Sequence, residues 1–100
     1  MGKFTGKIAI VTGGALGIGG ATARNLAKNG ATVVIADIDE DAANNNVQKI
    51  NSIGGEAVFI KADMSVSDDI EGMVDFTYRN FNGVDFIVQN AFGVISGVTR

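Results

Sequence analysis

One hundred residues, 46% of them hydrophobic, suffice for one small globular core and exclude a multidomain machine. Eight Lys plus Arg against eleven Asp plus Glu give a net charge of -3 without blocks of like sign, which removes the basic footprint of a nucleic-acid binder. With neither Cys nor His, the chain offers no disulfide, thiolate, imidazole base or Cys/His metal site, so no metal is expected and any chemistry falls to oxygen groups, lysine or a bound cofactor.

The first predicted element is a strand, Lys7 to Thr12. A glycine-rich turn follows, then a helix over Ile18 to Asn29 that places Ile18, Thr22 and Leu26 on one face and stops at Gly30, a residue suited to the left-handed conformation past a helix end. A second strand runs from Thr32 to Asp37. Asp39 is the expected N-cap of a second helix, Glu40 to Ile53, with Ala43, Val47 and Ile50 at helical spacing and Gly54-Gly55 behind it. The third strand is Ala57 to Ala62. Ser67 is read as the N-cap of a third helix, with Asp68, Asp69 and Glu71 at its positive end and Ile70, Met73, Val74, Thr77 and Phe81 as its buried stripe. A fourth strand spans Asp85 to Gln89.

Each strand is a nearly continuous apolar run, which implies burial on both faces by helices. Right-handed crossovers then order the parallel sheet 3-2-1-4. This is α/β architecture, Rossmann-like, and it amounts to the first half of a doubly wound fold. No repeat, low-complexity tract or linker divides the chain, so residues 1–100 read as a single domain.

No apolar run approaches the ~20 residues that span a bilayer, and the run that follows Lys7 is too brief for a signal peptide. Gly6 stands where a myristoylation signal needs Ser or Thr. No membrane partner and a cytoplasmic location are the resulting expectations.

The segment Thr12-Gly13-Gly14-Ala15-Leu16-Gly17-Ile18-Gly19 lies between the first strand and the first helix. Glycine there permits the turn and, lacking a Cβ, lets amides approach a pyrophosphate at the positive helix end. A tight βα turn alone could also carry these glycines, but two residues would suffice for that. The acid Asp37, closing the second strand, completes the context of a dinucleotide fingerprint. Its carboxylate can accept the adenosine ribose hydroxyls and repels a 2'-phosphate. The next residue is Ile38 and no Lys or Arg occurs from Gly13 to Gly20, so NAD is expected over NADP. Gly20, inside the helix, is assigned no function.

These residues resemble the short-chain dehydrogenase/reductase family, whose mark is Thr-Gly-x-x-x-Gly-x-Gly. The likeness runs along the chain: Phe4-x-Gly6-Lys7 resembles the family's lead into the first strand, Asn29-Gly30-Ala31 its exit from the first helix, and Asp63-Met64 its adenine-contacting pair. The family carries Asn-Asn-Ala-Gly after the fourth strand. Here the sequence is Gln89-Asn90-Ala91-Phe92-Gly93, with Gln89 in place of the first Asn and Phe92 inserted. The resemblance implies a cofactor-binding set of Gly13, Ala15, Leu16, Gly17, Ile18, Gly19, Asp37, Ile38, Asp63, Met64, Asn90 and Ala91. It also implies an oxidoreductase acting on alcohols or carbonyls.

The family's catalytic Ser and Tyr-x-x-x-Lys have no counterpart, since the one tyrosine, Tyr78, precedes Asn82 rather than Lys by four positions. The expectation is a chain that binds NAD(H) without turnover by itself, and that self-associates or uses a partner supplying the remaining half. Two alternatives stand beside it: a dehydrogenase active only when completed by another chain, and a non-catalytic interaction module.

Overall fold

The computed structural model of the protein describes residues 2–90. Within them, strands and helices alternate as β1 (Ile8–Thr12), α1 (Gly17–Lys28), β2 (Thr32–Asp37), α2 (Glu40–Ser52), β3 (Glu56–Lys61), α3 (Ser67–Phe81) and β4 (Phe86–Gln89). The strands are parallel in the expected order β3-β2-β1-β4, with Ile10 beside Val34 on one side and Ile87 on the other. Among the described residues no helix is long and apolar enough to cross a membrane.

The pleat sends alternate strand residues to opposite faces. Val11, Val33 and Ile35 meet Ala23 and Ala27 of α1 and Ala43 and Ile50 of α2. On the other face Ile10, Val34 and Ala36 meet Met73 of α3, with Val74 and Phe81 packed beside it. Helices on both faces are why β1 and β2 read as unbroken apolar runs. The third crossover must travel from β3 back past β1, and right-handedness then puts α3 opposite α1 and α2.

Three expectations are corrected. The first concerns α1, which packs through Gly19, Gly20, Ala23 and Ala27, while Ile18 is 80% exposed. Small residues win this face because the helix start lies against the loop before it, and a Cβ at Gly19 would collide with the Gly13 carbonyl oxygen. Bulk at Ile18 could not be accommodated there.

The second concerns α3, whose N-cap is Val66 with no side-chain cap, leaving Ser67 as the first helical residue. A competing turn decides this: Asp63 Oδ1 accepts from Ser65 N at 2.9 Å and Ser65 Oγ at 2.6 Å, and Asp63 O accepts from Val66 N at 3.0 Å. Asp69 Oδ2, in the first turn of α3, accepts from Asp63 N at 2.9 Å and holds the same turn from the helix side. Ile70 is also 39% exposed rather than buried.

The third concerns β4, whose Phe86 and Ile87 are exposed because the strand lies at the sheet edge. β2 has the expected bounds, and those of β1 and β3 differ by one residue. At the base, Asp85 N donates to Ile8 O and Asp85 Oδ2 accepts from Ile8 N, both at 2.8 Å, so Asp85 caps the start of β1 instead of extending β4. Asp39 caps α2 as expected, accepting from Ala42 N at 3.1 Å.

Candidate functional site

β1 leads into α1 on one face, whereas β4 is reached from α3 on the other. The crevice beyond their carboxyl ends is therefore the topological switch point, where sheets of this kind bind ligands.

The turn from β1 into α1 is anchored at its start by Gly13 N, which donates to Ala36 O at 2.8 Å. Gly17 has φ +61° and nothing within 4 Å of the position a Cβ would occupy, so it opens the helix in a left-handed conformation beside free space. α1 starts with no side-chain cap and no acid in its first turn. The amides of that turn have no intrahelical acceptor and carry the positive end of the helix dipole. Gly19 serves a different purpose: it lets the helix touch Gly13 and come within reach of Asn90, whose Cβ would lie 3.3 Å from an added Cβ.

Asp37, half-buried at the end of β2, accepts from Ala15 N at 3.1 Å through Oδ2 and from Asp39 N at 2.9 Å through Oδ1. An ionised carboxylate has about four acceptor positions, so acceptor capacity remains on both oxygens. Leu16, Ile18 and Ile38 are 65%, 80% and 63% exposed, an apolar rim on the segments that flank the loop.

Asn90 donates its backbone N–H to Thr12 O at 3.2 Å and Thr12 Oγ1 at 3.1 Å, tying the end of β4 to the end of β1. Its Nδ2 is buried with no hydrogen-bond partner among the described residues. Ala91 lies outside the described residues. Asp63 is exposed past the end of β3, and its pKa is held below the ordinary carboxylate value by the Ser65 hydroxyl and then by the Ser65 amide. Met64 is half-buried against the α3-side core. Parallel pairing thus brings the glycine loop, Asp37 and Asn90 to one end of the sheet, with Asp63 at the same end but turned into its own loop.

Two residues of this neighbourhood escape a reading by motif. Asn46 of α2 is buried and donates Nδ2 to Gly14 O at 2.7 Å, and Arg24 of α1 donates Nη1 to Asn46 Oδ1 at 2.9 Å. The available signal was a polar residue inside the apolar stripe of Ala43, Val47 and Ile50. Among the described residues no group of His, Cys, Asp and Glu could hold a metal ion.

Residues 7–99 match the protein family described as short chain dehydrogenase. The chain is 43% identical over 95 residues to tropinone reductase-like 1 of Erythroxylum coca, a match spanning 95% of this chain and 34% of that protein. The crystal structure of a hydroxysteroid dehydrogenase from Escherichia coli superposes with a TM-score of 0.87 at 39% identity, covering 90% of this chain and 38% of that one. A short chain dehydrogenase/reductase from Burkholderia phymatum, solved in complex with NAD, gives a TM-score of 0.82 at 31% identity, covering 87% of this chain and 31% of that one. The chain spans about a third of the length of these relatives.

Proposed function

The chain belongs to the short-chain dehydrogenase family, and on that premise we propose that residues 1–100 act as its dinucleotide-binding unit, with NAD as cofactor. The observation that carries this is the Asp37 carboxylate bonded to the Ala15 amide at 3.1 Å, which sets an acid able to read a ribose against a loop able to read a pyrophosphate.

The residues present fit the group. The amides of the first turn of α1 meet the pyrophosphate, and the open space at Gly17 admits it. Asp37 accepts the adenosine ribose hydroxyls, while Leu16, Ile18 and Ile38 cover apolar surface of the ligand. Gly13 and Gly19 shape the turn, Asp63 and Met64 border the adenine end, and Asn90 borders the ribose next to the nicotinamide. Bound NAD supplies the hydride acceptor for an alcohol or the donor, when reduced, for a carbonyl. This chain's own residues bind and orient it. The substrate class, alcohols and carbonyls, and a cytoplasmic location, in keeping with a sequence free of cysteine, belong to the same proposal.

Calorimetric titration tests it: NADH binds with saturable heat and NADPH binds more weakly. Absence of heat with both cofactors would overturn the reading.

A second reading, that the oxidoreductase is complete only when further chain pairs with β4, is favoured by that strand's exposed Phe86 and Ile87. Turnover that appears on adding a second polypeptide, and not before, would identify this case.

A further inference from the structure

Asn46 is 2% exposed in the middle of the buried face of α2, between Ala43 and Ile50. A buried amide without partners costs free energy, and this one has partners on both its nitrogen and its oxygen. Nδ2 donates to Gly14 O at 2.7 Å and to Gly20 O at 3.3 Å, and Oδ1 accepts from Arg24 Nη1 at 2.9 Å. A guanidinium has only donors, so Arg24 obliges the oxygen to face it and turns the nitrogen toward the two carbonyls.

The Gly14 carbonyl and the Ala15 N–H are opposite ends of one planar peptide unit. Asn46 holds the carbonyl end and Asp37 Oδ2 holds the N–H end at 3.1 Å. The sheet closes the remaining direction, since a Cβ at Gly14 would lie 3.0 Å from Val11 O and 3.1 Å from Ile35 Cγ2. This unit stands immediately before Leu16 and Gly17, so its plane sets the direction in which the chain enters α1. Buried as it is, Asn46 touches no ligand. Leucine would fill the same space, but it would leave the Gly14 and Gly20 carbonyls without that donor.

We propose that Asn46 is a positioning residue of the dinucleotide site: by fixing the Gly14–Ala15 peptide plane, with its own amide oriented by Arg24, it aims the first-turn amides of α1 at the pyrophosphate. The ligand part of this inference rests on the NAD reading above. A residue that only stabilised the fold would affect all ligands alike. One that aims the amides affects ligands in proportion to their phosphates.

The test compares the wild-type chain with Asn46→Leu and Arg24→Met, using NADH, ADP and adenosine as probes and amide hydrogen exchange of Ala15 without ligand. Asn46→Leu is expected to speed Ala15 exchange and to weaken NADH and ADP about tenfold, the scale of one buried hydrogen bond, while adenosine affinity stays within about twofold. Arg24→Met shifts the same quantities less, and the double variant binds ADP no more weakly than Asn46→Leu, because both act through one amide. Equal losses for ADP and adenosine, or unchanged ADP affinity in a folded Asn46→Leu chain, overturn the proposal. Should Asn46→Leu not fold, Arg24→Met, which keeps the amide and frees its orientation, decides by the same ADP-to-adenosine comparison. A wild-type chain that binds none of the probes defeats the cofactor reading instead, and Ala15 exchange then decides whether Asn46 holds the loop.

Discussion

Asp37 Oδ2 accepts the Ala15 amide, so the acid that closes β2 is also part of the loop that closes β1. Removing the side chain therefore does two things at once. Asp37→Ala lowers affinity for both cofactors by freeing the loop, and it narrows the NADH-to-NADPH affinity gap about tenfold by removing a charge that repels the 2'-phosphate. Asp37→Asn keeps an oxygen for Ala15 while removing the charge and the acceptor that faces Asp39 N, so it narrows the gap with a smaller common loss than Asp37→Ala. Titration calorimetry with both cofactors reads the two effects separately, and a gap unchanged in both variants would assign discrimination to another residue.

The glycines at 17 and 19 respond to substitution in opposite ways. Gly17→Ala places a methyl in open space at a positive φ, costs about 1 kcal/mol of strain and obstructs the approach to the first turn of α1. The chain stays folded and NADH binding drops. Gly19→Ala drives a methyl into the Gly13 carbonyl and destabilises the fold by about 1–3 kcal/mol whether or not ligand is present. Thermal unfolding paired with NADH titration separates them, and a Gly19→Ala chain of wild-type stability would contradict the packing described here.

Among the described residues, Asp63 carries a pH-dependent feature of definite sign. Its carboxyl pKa lies below the ordinary value because the Ser65 hydroxyl and the Ser65 amide bond the ionised form. A folded pKa below the unfolded one gives stability that is complete above the unfolded value and is lost as pH falls through the folded value. Ser65→Ala raises the Asp63 titration midpoint toward the ordinary carboxylate range, and its effect on stability is largest near neutrality and vanishes in acid. Carbon-detected NMR titration of the Asp63 carboxyl checks the sign, and a midpoint that falls on substitution would be the contrary result.

Turnover is the next expectation. General acid–base transfer needs a positioned group within hydrogen-bond reach of the reacting oxygen. Tyr78, the one tyrosine, is 53% exposed on α3, away from the ends of β1 and β4, and Asn82 follows where a lysine would be needed. The purified chain with NAD and simple alcohols is expected to form no NADH above background, and formation at a steady catalytic rate would refute this.

The edge of the sheet gives the last prediction. Phe86 and Ile87 are 38% and 45% exposed, and an open hollow of about 430 Å³ lined by Phe4, Leu26, Asp85, Phe86, Ile87 and Val88 runs along β4. Unpaired apolar edges recruit other strands. Sedimentation velocity at micromolar concentration is expected to show association that Ile87→Lys abolishes. A single monomeric species with slow amide exchange along Phe86 to Val88 would count against it.

What could be read from the sequence was what depends on short spacing. The glycine loop, Asp37, the Asp39 cap and the sheet order all follow from local pattern and crossover handedness. On the expected face of α1, Leu26 packs against the core but Ile18 is exposed, because close approach to Gly13 favours glycine and alanine at the helix start. Ser67 lost its cap to a turn made by Asp63, a competition between two acceptable local structures. Asn46 was invisible as a site residue because its partners lie on the preceding helix and loop, and only the folded helix pair brings them together.

β1 pairs with β2 through Ile8 and Thr32, near in the chain, and with β4 through Ala9 and Phe86, the first and last strands described. During synthesis the amino-terminal strand is therefore made early and completed late. Until β4 leaves the ribosome, one whole edge of β1 waits without hydrogen-bond partners, and the long loop that must close to supply them makes this the slow pairing of the fold. Asn90 reaches Thr12 only at that moment. The crevice between the two strands thus exists only once β4 has docked on β1, and a ligand lodged there would report that pairing.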